Sequence, residues 1–214
     1  MFVQIFSENH RILLEQLGRN ELLKPYYLAG GTAAALYLGH RISEDFDFFT
    51  PHPIQQEEIV QFLKTLGTLE IVSRTRGSLH CLLNNIKLSF LYYDYPLLKP
   101  EKNELGVRIA SLTDISLMKI TAIAGRGSKK DFIDLYFISH NHLSLDELFA
   151  LLPKKYSEIK RNLYHIIKSL SFFEDAEKEP APFMLKVMNW EEIKSYFVKK
   201  EKEMFILFLK NYSE

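Results

Sequence analysis

The chain has 214 residues, of which 47% are apolar by type, enough to bury the core of one sizeable domain or two small ones. Its 27 basic and 27 acidic side chains cancel, so no whole-protein field draws it to nucleic acid, and any such binding needs a local patch. The single cysteine, Cys81, excludes an intramolecular disulfide and a cysteine-built zinc finger, and it fits a reducing compartment. The N-terminus lacks the basic and apolar regions of a signal peptide. No apolar run approaches the roughly 18 residues of a membrane span, so a cytoplasmic protein with no membrane partner is expected.

In chain order, "IFSENHRILLEQLG" sets Ile5, Ile12, Leu13 and Leu17 near a helical period and predicts an amphipathic helix. "YYLAGG" predicts a short strand running into a glycine turn, and "TAAALYLGH" a helix with Thr32 near its start and Gly39 at its end. "DFDFFT" reads as a strand and "IQQEEIVQFLKTLG" as a helix ended by Gly67. Three strands follow in "LEIVSRT", "LHCLL" and "IKLSFLYYD". Arg76-Gly77-Ser78 turns the first pair and Asn84-Asn85 the second. "GVRIAS" is a strand or an extended link. From residue 111 onward helical patterns dominate: "SLTDISLMKITAIAG", "KDFIDLYFISHN", "SLDELFALLPKKY", "IKRNLYHIIKSLSFF" and "WEEIKSYFVKKEKEMFILFLKNY". "FFEDAEKEPAPF" interrupts them as an acidic, proline-containing loop. The expected division is therefore a mixed part, 1–110, and a helical part, 111–214.

The chemistry concentrates in "LAGGTAAALYLGHRISEDFDFF". Side chains two apart on a strand share a face, so Asp45 and Asp47 point one way and Phe46 and Phe48 the other. The aromatics claim the core, which leaves two adjacent carboxylates on an open face. Such a pair repels unless a cation lies between them, and magnesium commonly takes one or two carboxylates together with substrate phosphates. A half-exposed edge strand with solvated acids is the alternative. Upstream, Gly30 and Gly31 let the backbone approach a ligand, the following helix aims its N–H groups and positive dipole end at an anion, and Thr32 adds a hydroxyl. A plain turn with an N-cap explains the same residues. Taken in series, the turn, helix, loop and D-x-D strand would set a phosphate site beside a metal site.

These residues carry a resemblance. The pattern from Gly30 to Phe49 resembles the signature of the polymerase-beta-like nucleotidyltransferase superfamily, and within it looks most like the AbiEii/AbiGii toxin-type nucleotidyltransferases. The likeness continues in "IASLTDISLMKITAIAGRGSKKDFIDLYFI", where a helix lysine precedes a basic turn and a D-x-x-D-L-Y helix. It implies an α+β fold: a nucleotidyltransferase core with a mixed sheet over residues 1–110, then a helical domain, 111–214, that completes the active-site cleft. It also implies transfer of a nucleoside monophosphate from an NTP to a hydroxyl with two Mg2+ ions (Mn2+ as a substitute), releasing pyrophosphate. In this reading Asp45 and Asp47 bind metal, and Gly30, Gly31 and Thr32 contact phosphate. Lys119 contacts the triphosphate, and Asp131 and Asp134 form a later acidic motif. Arg41 and Ser43, in the loop before the strand, are further cofactor-binding candidates. For Arg41, capping the helix dipole is the structural alternative. Lys119 could simply snorkel from an apolar helix, and Asp131 and Asp134 could cap a helix and pair with Lys129 or Lys130.

One departure stands out. The superfamily places a third carboxylate on a neighbouring strand, and the matching position here is Ser89. That leaves open a catalytically weakened nucleotide-binding or interaction module on the same fold. No G-x-x-x-x-G-K-S/T, H-E-x-x-H or G-x-S-x-G motif is present, and histidines such as His40, His52, His80 and His165 show no ligand spacing. The basic doublets Lys129-Lys130, Lys154-Lys155, Lys160-Arg161 and Lys199-Lys200, with Tyr156 and Tyr164 among them, read either as an RNA-facing surface or as solvated helix faces. The expected partners are an NTP, an RNA acceptor such as a tRNA end, with a protein hydroxyl or a small molecule as alternatives, and a cognate antitoxin.

Overall fold

The computed structural model describes residues 1–212, without the side chains of residues 160, 161 and 210–212. The chain forms two compact units divided between Ser111 and Leu112.

The first unit holds α1 (Glu8–Gly18), β1 (Tyr27–Ala29), α2 (Gly30–Leu38), β2 (Phe46–Thr50), α3 (Gln56–Leu66), β3 (Leu69–Thr75), β4 (Ser78–Leu83), β5 (Ile86–Tyr92), β6 (Lys102–Glu104) and β7 (Val107–Ile109). The strands form one sheet in the order β3-β4-β5-β2-β1-β7-β6. It is mixed: β2 runs parallel to β5, and β1 parallel to β7, while the other neighbours are antiparallel. β6, three residues long and largely exposed, carries no apolar alternation, which is why no strand is legible there in the sequence.

Burial alternates along β2 as the sequence predicts: Phe46 and Phe48 are fully buried, while Asp47 and Phe49 are partly exposed. Phe48 stacks on Phe90 of β5 at 5.5 Å between ring centres, and Tyr26 meets Phe90 edge-on at 5.7 Å. Each such buried ring contributes roughly 1.5–3 kcal/mol through lost water contact. α2 buries Thr32, Ala33, Ala34, Ala35, Leu36 and Leu38. Small side chains on nearly every face suit a helix enclosed by its surroundings. Gly39 ends it in a left-handed conformation, φ 58°, donating its N–H to Ala35 at 2.7 Å. Cys81 is buried in β4, and loss of water pushes its thiol up to about 11.

The second unit holds α4 (Leu112–Arg126), α5 (Lys129–Asn141), α6 (Leu145–Lys155), α7 (Leu163–Ser169), α8 (Glu174–Lys178) and α9 (Trp190–Tyr212). α6 starts in a capping box formed by Ser144 and Glu147. Phe132 of α5 is packed by Phe173, Trp190 and Phe197 at 5.0–6.2 Å between ring centres. Two sequence expectations change. The segment read as an acidic loop contains the short helix α8, and the helix expected over residues 159–173 is a 3-10 turn, Ile159–Asn162, followed by the shorter α7. Among the described residues, no helix is long and apolar enough to cross a membrane.

Candidate active site

Gly30 begins α2 with φ +70°, a backbone conformation that a residue with a Cβ enters only with strain. A Cβ at Gly30 would lie 2.8 Å from Oδ2 of Asp47, so the missing side chain is what lets that carboxylate lie against the first turn of the helix. A Cβ at Gly31 would fall on the Arg41 guanidinium and lie 3.5 Å from Ser43 Oγ. The two glycines thus admit two different groups of the same site. The N-cap residue of α2, Ala29, offers no side-chain cap to the helix start.

The loop between α2 and β2 is tied down from both ends. Thr32, buried in the first turn of α2, is hydrogen-bonded through Oγ1 to Ser43 Oγ at 2.8 Å and donates to the carbonyl oxygen of Asp45. Arg41 is 2% exposed and donates from Nη1 to the carbonyl of Ile42 at 3.0 Å. Asp45 precedes β2 directly and, like Asp47, is partly exposed. The structure therefore gathers Gly30, Gly31, Thr32, Arg41, Ser43, Asp45 and Asp47 in one place. Thr32 turns its hydroxyl into the loop, away from the position of a side-chain phosphate contact. His40 is fully buried beside this loop.

Across the sheet the register is informative. Asp47 pairs with Ala29 of β1 on one side and with Ser89 of β5 on the other, and Ser89 pairs in turn with His80 of β4. Ser89 Oγ lies 3.1 Å from His80 Nδ1 and is 2% exposed as a residue. His80, set aside on sequence spacing, enters the row because strand pairing joins residues that spacing along the chain leaves unrelated. All-oxygen carboxylate donors on an open face beside a helix start fit a hard divalent cation that draws its remaining ligands from phosphate and water. Among the described residues, no three His, Cys, Asp or Glu side chains are grouped to hold a metal on their own.

The remaining candidates lie in the second unit. Lys119 of α4 is 4% exposed, and its Nζ is 2.7 Å from Asp131 Oδ1 and 2.6 Å from Asp134 Oδ2 of α5. Both aspartates are fully buried. Arg126, unremarked in the sequence, forks onto Asp131 with Nε at 2.7 Å from Oδ2 and Nη2 at 3.1 Å from Oδ1. Burial alone pushes the Asp131 carboxyl up, but the charges of Lys119 and Arg126 outweigh it and hold the group below the usual carboxylate value. The basic turn before the D-x-x-D helix was the signal for Arg126. The alternative pairing with Lys129 or Lys130 gives way to Lys119, which pairs with both aspartates, and Arg126, which pairs with Asp131.

In each of the three doublets whose side chains are described, one lysine is buried or ion-paired. Lys155 is buried, with Nζ 2.9 Å from Asp114 Oδ1, and burial pushes its ammonium down although Asp114 opposes the shift. Lys129 is 9% exposed and donates from Nζ to the Glu179 carbonyl at 2.6 Å, and Tyr156 is buried too. Lys200 is paired with Asp146 and Glu203. Consecutive helix residues point about 100° apart, so one member of a doublet can turn inward while the other faces solvent. The side chains of Lys160 and Arg161 lie outside the described residues.

The family model described as "Nucleotidyl transferase AbiEii toxin, Type IV TA system" matches residues 11–70 and 68–205. The uncharacterized protein aq_aa25 of Aquifex aeolicus (strain VF5) is 42% identical over 206 residues, 92% of this chain and 96% of that protein. Among solved structures, JHP933 from Helicobacter pylori superposes with a TM-score of 0.56 at 21% identity, over 98% of this chain and 100% of that one. MenT4, a nucleotidyltransferase toxin of Mycobacterium tuberculosis H37Rv, superposes with a TM-score of 0.55 at 13% identity, over 90% of this chain and 84% of that one. At those identities the superpositions establish a shared fold, here an α+β chain built on a mixed seven-stranded sheet. The family match covers most of the chain, and the protein belongs to the AbiEii nucleotidyltransferase toxin family of type IV toxin–antitoxin systems.

Proposed function

We propose that the chain moves a nucleoside monophosphate from an NTP to a hydroxyl group on an acceptor, in a magnesium-dependent reaction with manganese as a substitute. The observation that carries this reading is the contact between Asp47 and the start of α2 at Gly30, which sets a carboxylate beside a helix N-terminus. Asp45 and Asp47 would hold the divalent ion, which supplies charge neutralisation for the triphosphate. The backbone of Gly30, Gly31 and Thr32 receives phosphate oxygens, and the buried Arg41 adds a fixed positive charge one residue layer behind Gly31. Ser43 holds Thr32 and the loop in place. Lys119 is proposed as a triphosphate contact in competition with its two aspartates, with Asp131 and Asp134 pairing with it and orienting it.

The acceptor in this proposal is RNA, such as a tRNA end, with a protein hydroxyl as the alternative, and a cognate antitoxin counters the activity in the cytoplasm. Calorimetry of NTP binding with and without Mg2+, beside transfer of label from α-labelled NTP to total RNA and to protein, tests it. Magnesium-dependent binding and labelling are expected, and absence of both would remove the reading. The neutral Ser89 next to Asp47 favours one second reading, a nucleotide-binding module with weakened catalysis, for which binding would persist without labelling.

A further inference from the structure

We propose that His80 is the base that takes the proton of the acceptor hydroxyl. This deepens the nucleotidyltransferase reading above and rests on it. An alcohol attacks phosphorus effectively only as its proton leaves, and a carboxylate that faces a metal ion is a weak proton acceptor. On the row that runs Ala29, Asp47, Ser89, His80 across β1, β2, β5 and β4, the imidazole is the one group that can offer a nitrogen lone pair to that proton without facing the metal.

The hydrogen bond between Ser89 and His80 decides which nitrogen is available. Ser89 stands between the Asp47 carboxylate and the imidazole. Ser89 Oγ and His80 Nδ1 are 3.1 Å apart; in this proposal the Ser89 O–H turns toward the negative Asp47 side, as a hydroxyl dipole does in such a field, and the Ser89 lone pair accepts the proton of His80 Nδ1. That arrangement would leave the lone pair on Nε2, which has no hydrogen-bond partner among the described residues. Ser89 is buried, so water does not compete for this bond, and the ring is held in one orientation. In the step, the acceptor oxygen forms a bond to the α-phosphorus as the bond from that phosphorus to the pyrophosphate oxygen breaks. The acceptor proton passes to His80 Nε2, giving an imidazolium two strands from the Asp47 carboxylate, and later leaves to solvent.

The test compares wild type, His80→Asn, His80→Ala and Ser89→Ala by NTP–Mg2+ calorimetry, thermal melting and label transfer from α-labelled NTP to total RNA. The side-chain amide introduced by His80→Asn can still donate to Ser89 but offers no base. That variant should bind NTP as wild type does and melt with it, while transfer falls on the order of 10²-fold or more. Added imidazole should restore part of the transfer lost in His80→Ala, an effect that a purely structural histidine would not show. Ser89→Ala should lose less than His80→Asn. Wild-type transfer by His80→Asn, or loss of NTP binding in step with loss of transfer, would overturn the role of His80 and leave the reading of the site standing. Failure of the wild type to bind NTP would overturn both.

Discussion

The Asp47 carboxylate occupies space that a side chain at Gly30 would contest: a Cβ there would sit 2.8 Å from Oδ2. Gly30→Ala therefore adds two costs, a side chain at φ +70° and a displaced carboxylate. The backbone term alone is about 1–2 kcal/mol, or a few degrees in Tm for a chain of this size. The carboxylate term should show separately, as NTP–Mg2+ affinity in calorimetry reduced beyond what the loss of folded protein explains.

Asp47→Asn should behave differently. The side chain is partly exposed and pairs with no cation in the described structure, so stability should stay within about 0.5 kcal/mol of wild type. Label transfer should drop to background at any magnesium concentration. Full transfer by this variant would remove the metal role assigned to the β2 acids.

Lys119 gives the reverse pattern. Its removal leaves Asp131 and Asp134 buried with one cation fewer, and breaking a buried pair costs about 3–5 kcal/mol. Lys119→Ala should melt far below wild type, and Asp134→Asn added to it should recover part of the loss. An unchanged melting temperature in Lys119→Ala would show that the ammonium is not held as the structure has it.

The same cluster sets an acid limit. Burial pushes the Asp131 carboxyl up, yet Lys119 and Arg126 hold it below its ordinary value. A folded value below the unfolded value of about 3.9 means a stabilising contribution that is complete above that pH and lost as pH falls through the folded value. Arg126→Ala removes the guanidinium fork, raises the carboxyl, and should move the midpoint of acid unfolding to higher pH in circular dichroism. A midpoint that does not move would show that the exposed guanidinium is screened by solvent.

Ser89→Asp would set a third carboxylate in the row with Asp47. The added charge should lower the magnesium needed for half-maximal NTP binding. If binding requires more magnesium instead, the β5 residue does not face the cation assigned to the β2 acids.

Local patterning made much of this protein legible in its sequence. The alternation of Asp45, Phe46, Asp47 and Phe48 reports which side chains water excludes, so strand, face and open acids follow from residue type alone. The glycine pair and Gly39 are legible because positive φ selects glycine so strongly. The D-x-x-D spacing likewise puts Asp131 and Asp134 on one helix face. Long-range pairing decided the rest. Spacing along the chain leaves His80 unrelated to Asp47, and only the order of β4, β5 and β2 sets them in one row. Lys119 looks like a snorkelling surface lysine until α5 brings two buried carboxylates to it, and Lys155 looks like half of a basic patch until Asp114 claims it. A buried charge exists only where the fold supplies its partner, so its place is settled by tertiary structure and not by the residues beside it.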